Sequence, residues 1–138
     1  MNDSPNLYLG CVELSSDRFP SFRGDAVERL KQLSEQIKSK GWKGVGGWIC
    51  AQKAETHAAI PEEEYWKQRI KTANAAGFDY WKVDWGKEDR NGEWRRKLTA
   101  IGKRYAPHLY IEHALRNEFI EFSDVFRTYD VENITAQR

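Results

Sequence analysis

Extended and helical signals alternate along the whole chain, and this limits the fold more than any single residue does. Apolar, extended stretches are expected at 8–14, 44–50, 78–86, 109–114 and 124–129. Helical patterns fill the intervals at about 25–40, 61–76 and 91–105, with a short helix near 117–122. A strand that returns to its sheet through a helix lies parallel to the strand before it, with the helix as crossover. The local signals agree. Asp25 is followed three residues on by Glu28, a capping box, and Val27, Leu30, Leu33 and Ile37 form an apolar stripe that ends at Gly41, a residue suited to a C-cap. Pro61 precedes Glu62, Glu63 and Glu64, where the helix dipole favours carboxylates. Trp66, Ile70 and Ala73 then form the inner face, and Gly77 stops the helix. In the third helix Trp94, Leu98 and Ile101 are expected inward, with Pro107 beyond its end.

The fold class expected is α/β, as part of a (β/α)8 TIM barrel with about five parallel strands. A complete barrel takes roughly 200 residues or more, and the chain has 138. It reads as a single partial barrel domain lacking the later strands, with a small open α/β sheet as the alternative. Sheet edges and apolar faces left open in such a section make self-association an expected consequence.

Composition excludes several classes of function. A net charge of +1 gives no electrostatic reason to expect nucleic acid or an anionic membrane. No apolar run is long enough to span a bilayer, and Met1 to Pro5 lacks the basic start and apolar core of a signal peptide. Cys11 and Cys50 are too few for a disulfide framework and sit in expected strands, where a thiol serves as small apolar filler. No Cys/His cluster of the zinc type is present, and no glycine-rich phosphate loop follows any strand, so neither a metal nor a nucleotide cofactor is expected. Six Trp in so short a chain permit two uses, core filling and stacking against the apolar face of a sugar ring.

The residues that can carry chemistry fall at strand ends, where parallel α/β folds bind ligands. Four groups stand there: 48–52, 82–85, Glu112 with His113, and 127–130. Side chains alternate along a strand, so Lys82 and Asp84 share one face while Trp81 and Val83 share the other. Glycoside hydrolysis needs two carboxylates, one to attack or stabilise the anomeric centre and one to protonate the leaving oxygen; a retaining enzyme holds them about 5–5.5 Å apart. Asp84 and Asp130 are the candidates. Glu112 stays open between substrate contact and a partner that orients Lys82, and Trp48 between core filling and a sugar platform. Trp85 is a further candidate for substrate contact. His113, of opposite parity to Glu112, reads as structural. Asp79 reads as facing a loop or capping the strand start, far from the chemistry, and the 62–64 carboxylates as a solvated helix start.

These residues resemble a family. Lys40-Gly41-Trp42-Lys43-Gly44-Val45-Gly46-Gly47-Trp48, with Phe19-Pro20-Ser21 before it, resembles the helix-to-strand passage before the third barrel strand of alpha-galactosidase-like glycoside hydrolases. Gly77-Phe78-Asp79-Tyr80-Trp81-Lys82-Val83-Asp84 is similar to their fourth strand, and Asp124-Val125-Phe126-Arg127-Thr128-Tyr129-Asp130 to their sixth. The resemblance implies that Asp84 is the nucleophile, Asp130 the general acid/base, Lys82 a hydroxyl-binding residue and Arg127 a support for sugar or carboxylates, with Glu112 at a substrate-binding position. Arg127 stands three residues before Asp130 rather than the more usual four. The Asp-Asp pair common after the second strand is missing; Glu13 or Asp17 could take its place. The expected activity is retaining hydrolysis of an alpha-linked glycoside or oligosaccharide, without cofactor. The alternatives are a non-catalytic carbohydrate-binding barrel and a lysine-dependent aldolase that uses Lys82.

Overall fold

A computed structural model describes residues 13–114 and 117–125. Three helices, α1 (Ala26–Ser39), α2 (Glu62–Ala75) and α3 (Gly92–Tyr105), alternate with three strands, β1 (Gly46–Ile49), β2 (Tyr80–Val83) and β3 (Tyr110–His113). Short 3-10 turns follow β1 at Glu55–His57 and β3 at Asn117–Glu121. The strands pair in parallel in the order β1-β2-β3, which is also their order in the chain. The protein is therefore mixed α/β with a parallel sheet. The expected strand at 8–14 lies almost wholly outside the described residues. The one expected at 124–129 begins as a parallel bridge from Val125 to Glu112, and its remainder lies outside them.

Local chemistry sets the helix ends. The Asp25 side chain accepts from the Glu28 N–H at 2.9 Å while Glu28 accepts from the Asp25 N–H at 2.9 Å, the reciprocal box expected. Helix α1 ends at Lys40, and Gly41 takes the left-handed φ of +92° that terminates it. Asn91 caps α3 by accepting from the Trp94 N–H at 3.0 Å. At the far end of α2 the Gly77 carbonyl receives both Ser34 Oγ (3.1 Å) and Lys38 Nζ (2.8 Å), which ties α1 to that end.

All three helices pack in sequence along one face of the sheet, α1 on α2 and α2 on α3. One apolar cluster joins Leu30 of α1, Tyr65, Trp66, Ile70 and Ala73 of α2, and Trp94 and Leu98 of α3 to Ile49, Trp81, Val83 and Ile111 of the strands. Full burial of side chains of this size contributes roughly 1.5–3 kcal/mol each, which is why alternate strand positions dictate where the helices lie. Some expected inward positions differ. Val27 and Leu33 are half-buried, because Leu30 and Ser34 occupy the contact line of α1. On α3 the fully inward positions beside Trp94 and Leu98 are Arg95, Thr99 and Gly102, while Ile101 only borders the core. The helix is rotated so that the 95–99–102 edge meets β3.

Candidate active site on the open sheet face

The strand positions of opposite parity build the second face. Trp48, Lys82 and Glu112 are Cα partners across β1, β2 and β3, so an indole, an ammonium and a carboxylate stand side by side. One step toward the strand starts, Gly46, Tyr80 and Tyr110 are likewise paired. A Cβ on Gly46 would meet the Tyr80 ring at 2.8 Å, so glycine makes room for that ring. The Tyr80 hydroxyl donates to Glu112 Oε2. Glu112 is buried at 4% exposure, although it is a carboxylate on the face away from the helices.

Asp84 lies one residue past β2, not inside the strand as expected, and its side chain still continues the Lys82 face. Its Oδ2 is 3.1 Å from Lys82 Nζ and accepts from Trp48 Nε1 at 3.1 Å. The Asp84 side chain is 15% exposed and that of Lys82 30%. A cation and a donated N–H on one oxygen stabilise the ionised carboxylate. Trp85, 39% exposed, sets its ring 5.6 Å from the Trp48 ring at 54°, so two indoles flank the carboxylate. The fully buried Cys50 is no nucleophile: burial first, then the Asp84 charge, pushes its thiol up to about 11.

The loop bearing Asp84 and Trp85 is stitched to the loop after β1. Asp84 N–H donates to Ile49 O (3.0 Å), Ala51 N–H to Trp85 O (2.9 Å) and Glu88 N–H to Ala51 O (2.8 Å). Gly86 has φ +152°, and a Cβ there would lie 2.6 Å from Ala51 O. Only glycine permits this approach of two main chains. The Gln52 side chain completes the seam by accepting from Lys87 N–H at 3.2 Å.

Behind the loop, on the helix side, stands Arg95, with no exposed surface. Its NH1 donates to Val83 O (2.9 Å), its NH2 to Asp84 O (2.6 Å) and its Nε to Asp89 O (2.9 Å). NH1 also reaches His113 Nδ1 at 3.3 Å. Because arginine only donates, that nitrogen must accept. Nε2 then carries the proton and donates to Thr99 Oγ1 at 2.7 Å. Burial, with the Arg95 charge adding to it, holds His113 neutral, down to about 3. Burial also lowers the guanidinium of Arg95 to about 10, with the Asp89 and Asp84 charges opposing, so it remains a cation at neutral pH.

A separate groove of about 590 Å³ opens between α2 and α3, lined by Glu62, Glu63, Trp66, Glu88, Glu93 and Trp94 among others. It does not include Asp84 or Lys82. Glu62 is more than a solvated helix start: its Oε1 accepts from Trp66 Nε1 (2.7 Å) and Trp94 Nε1 (2.9 Å), joining α2 to α3.

Of the residues singled out in the sequence, Asp84, Lys82, Trp48, Trp85 and Glu112 thus gather on one face at one end of the sheet. Arg127 and Asp130 lie outside the described residues. Asp79, just before β2, caps the start of the neighbouring strand β1: its Oδ2 accepts from Val45 N–H (2.9 Å) and pairs with Lys38 (3.0 Å). Sequence reasoning missed Arg95, Tyr80 and Gly86. An arginine at i, i+3, i+4 and i+7 spacing with Leu98, Thr99 and Gly102 was the available signal for the first. Among the described residues, no group of three or more His, Cys, Asp or Glu is placed to hold a metal, and no helix is long and apolar enough to cross a membrane. Comparison with protein-family models, with curated proteins and with solved structures finds no match.

Proposed function

We propose that this chain is a section of a catalytic (β/α)8 barrel from a retaining glycoside hydrolase that acts on alpha-linked sugars, of the alpha-galactosidase-like kind. The observation that carries the reading is Asp84: a largely buried carboxylate just past the C-terminal end of a parallel strand, held between Lys82 and Trp48 and flanked by two half-open indoles. Strands in sequential order with the helices of the described residues on one face support the barrel reading, because a barrel winds in this way. A doubly wound sheet places helices on both faces. In a barrel the face bearing Trp48, Lys82 and Glu112 is the interior, and Asp84 stands at its mouth.

The chemistry follows. Asp84 attacks the anomeric carbon as the bond to the departing oxygen breaks, and Asp130 gives that oxygen its proton. Asp130 then takes a proton from water as the water displaces Asp84 from the sugar. Lys82 serves two ends, pairing with Asp84 and donating to sugar hydroxyls. Trp48 and Trp85 offer stacking surface, and Glu112 accepts from hydroxyls or orients its neighbours. Lys82 Nζ is engaged by the Asp84 carboxylate at 3.1 Å, an arrangement that suits a donor to hydroxyls rather than a Schiff-base amine.

The test is hydrolysis of an aryl alpha-galactoside by the full-length protein carrying this chain, for wild type and Asp84→Ala. Turnover should fall by several orders of magnitude with the thermal midpoint retained, and azide should restore it by forming a glycosyl azide of inverted configuration. Near-normal turnover in Asp84→Ala refutes the nucleophile. Binding of sugar without wild-type turnover of any aryl glycoside replaces the reading with a carbohydrate-binding barrel.

A further inference from the structure

We propose that Arg95 is the positioning residue of this site: from the helix side of the sheet its guanidinium fixes the main chain at 83, 84 and 89, and so the direction in which the Asp84 carboxylate leaves the strand. The inference rests on the reading of Asp84 as nucleophile, and adds a residue that never faces the substrate.

Three observations carry it. First, the placement is costly for simple packing. Arg95 is fully buried, and among the described residues its hydrogen-bond partners are three carbonyl oxygens and one imidazole. A buried cation with no carboxylate within ion-pair distance among the described residues, and only the more distant Asp89 and Asp84 charges to offset its desolvation, is a poor way to fill a core. Second, its targets run from the last carbonyl of β2, Val83 O, which also accepts from Ala114 N–H at 3.0 Å, to the Asp84 and Asp89 carbonyls past the strand end. The Asp84 N–H is taken by Ile49 O at 3.0 Å and its carbonyl by Arg95 NH2 at 2.6 Å, so the main chain on both sides of the carboxylate is fixed. Third, the guanidinium is itself held. His113 Nδ1 accepts from it, Thr99 Oγ1 accepts from His113 and donates back to Arg95 O at 3.3 Å, and the Phe119 ring lies 4.9 Å from its carbon. The fork geometry is the point. Five N–H groups in one plane span three carbonyls at once, which an ammonium cannot do.

The experiment compares Arg95→Met and Arg95→Lys with wild type in the full-length protein. It reads amide hydrogen exchange by mass spectrometry and turnover of the aryl alpha-galactoside. Loss of the fork should raise exchange across 84–91 by roughly 10-fold or more while β1 and β3 keep their protection, because local opening is decoupled from global unfolding. It should lower kcat by about 100-fold for Met and about 10-fold for Lys, with KM nearly constant, the scale expected when a reacting group is misplaced by about an ångström. Should Met fail to fold, Lys alone decides. Wild-type exchange and wild-type kcat in Arg95→Lys overturn the proposal, as does an exchange increase spread evenly over all three strands. The two readings fail separately. A protein with no turnover at all refutes the hydrolase, yet its exchange pattern still shows whether Arg95 fixes 84–91. Turnover that depends on Asp84 but not on Arg95 refutes the positioning role alone.

Discussion

Replacing Gly86 with alanine tests how the loop that carries Asp84 and Trp85 is held. A Cβ built there lies 2.6, 2.7 and 2.9 Å from Ala51 O, C and N, all main-chain atoms that no rotamer change can move aside. The φ of +152° adds a conformation that residues with a side chain rarely adopt. Strained main chain costs of order 1–3 kcal/mol, and forcing a methyl into packed space about another 1–3 kcal/mol. Relief would come by separating the two loops, at the expense of the Ala51–Trp85 and Glu88–Ala51 hydrogen bonds. We therefore expect a loss of about 3–5 kcal/mol, large against the roughly 5–15 kcal/mol of a typical domain. Gly41→Ala is the matched control. Its φ is +92°, and nothing lies within 4 Å of the new Cβ, so only the left-handed penalty of about 1–2 kcal/mol applies. Urea unfolding followed by far-ultraviolet circular dichroism, with unchanged m-values, measures both. Equal losses in the two variants, within about 0.5 kcal/mol, would refute the steric account of the loop seam.

Two further outcomes concern the scaffold. Glu62→Ala strips the acceptor from two nearly buried indoles and should lower stability by about 1–2 kcal/mol, a figure held down because Glu62 itself is open to water. Glu62→Gln keeps an acceptor oxygen and should match wild type in thermal melts. His113 has a folded-state pKa near 3 against an ordinary 6.5, so as pH falls the unfolded chain takes the proton first. Its contribution is therefore complete above pH 6.5 and lost progressively toward pH 3, by about 1.4 kcal/mol per pH unit. Urea midpoints at pH 7.5 and 4.5 should show wild type losing about 2–3 kcal/mol more than His113→Gln does. Parallel pH dependence in the two proteins would mean that the imidazole is not the group that resists protonation.

Much of the framework is legible in the residues themselves because it depends on short-range chemistry. The Asp25–Glu28 box and the Trp66–Ile70–Ala73 face each need only a few neighbouring side chains and a fixed helical period. The grouping of Lys82 with Asp84 follows from strand parity alone. What parity cannot supply is register. That Trp48 and Glu112 flank Lys82 depends on how three segments separated by 30 or so residues align, and that alignment is set by the helices packed behind them. Tyr80 illustrates the same limit. Its hydroxyl matters only because Gly46 leaves space on one side and Glu112 arrives on the other.

Arg95 marks the boundary between the two kinds of knowledge. By itself the sequence determined a chain of alternating strands and helices, the ends of those helices, and a lysine and an aspartate on one face of a strand end. Tertiary structure alone decided that α3 turns its arginine inward rather than to solvent. It did so because the Asp84 and Asp89 carbonyls lie beyond the end of β2 and take Arg95 as donor, while Val83 O accepts from it beside the Ala114 N–H, and a buried carbonyl must find a donor. Helical periodicity is blind to that demand, since the carbonyls that create it belong to a different segment of the chain.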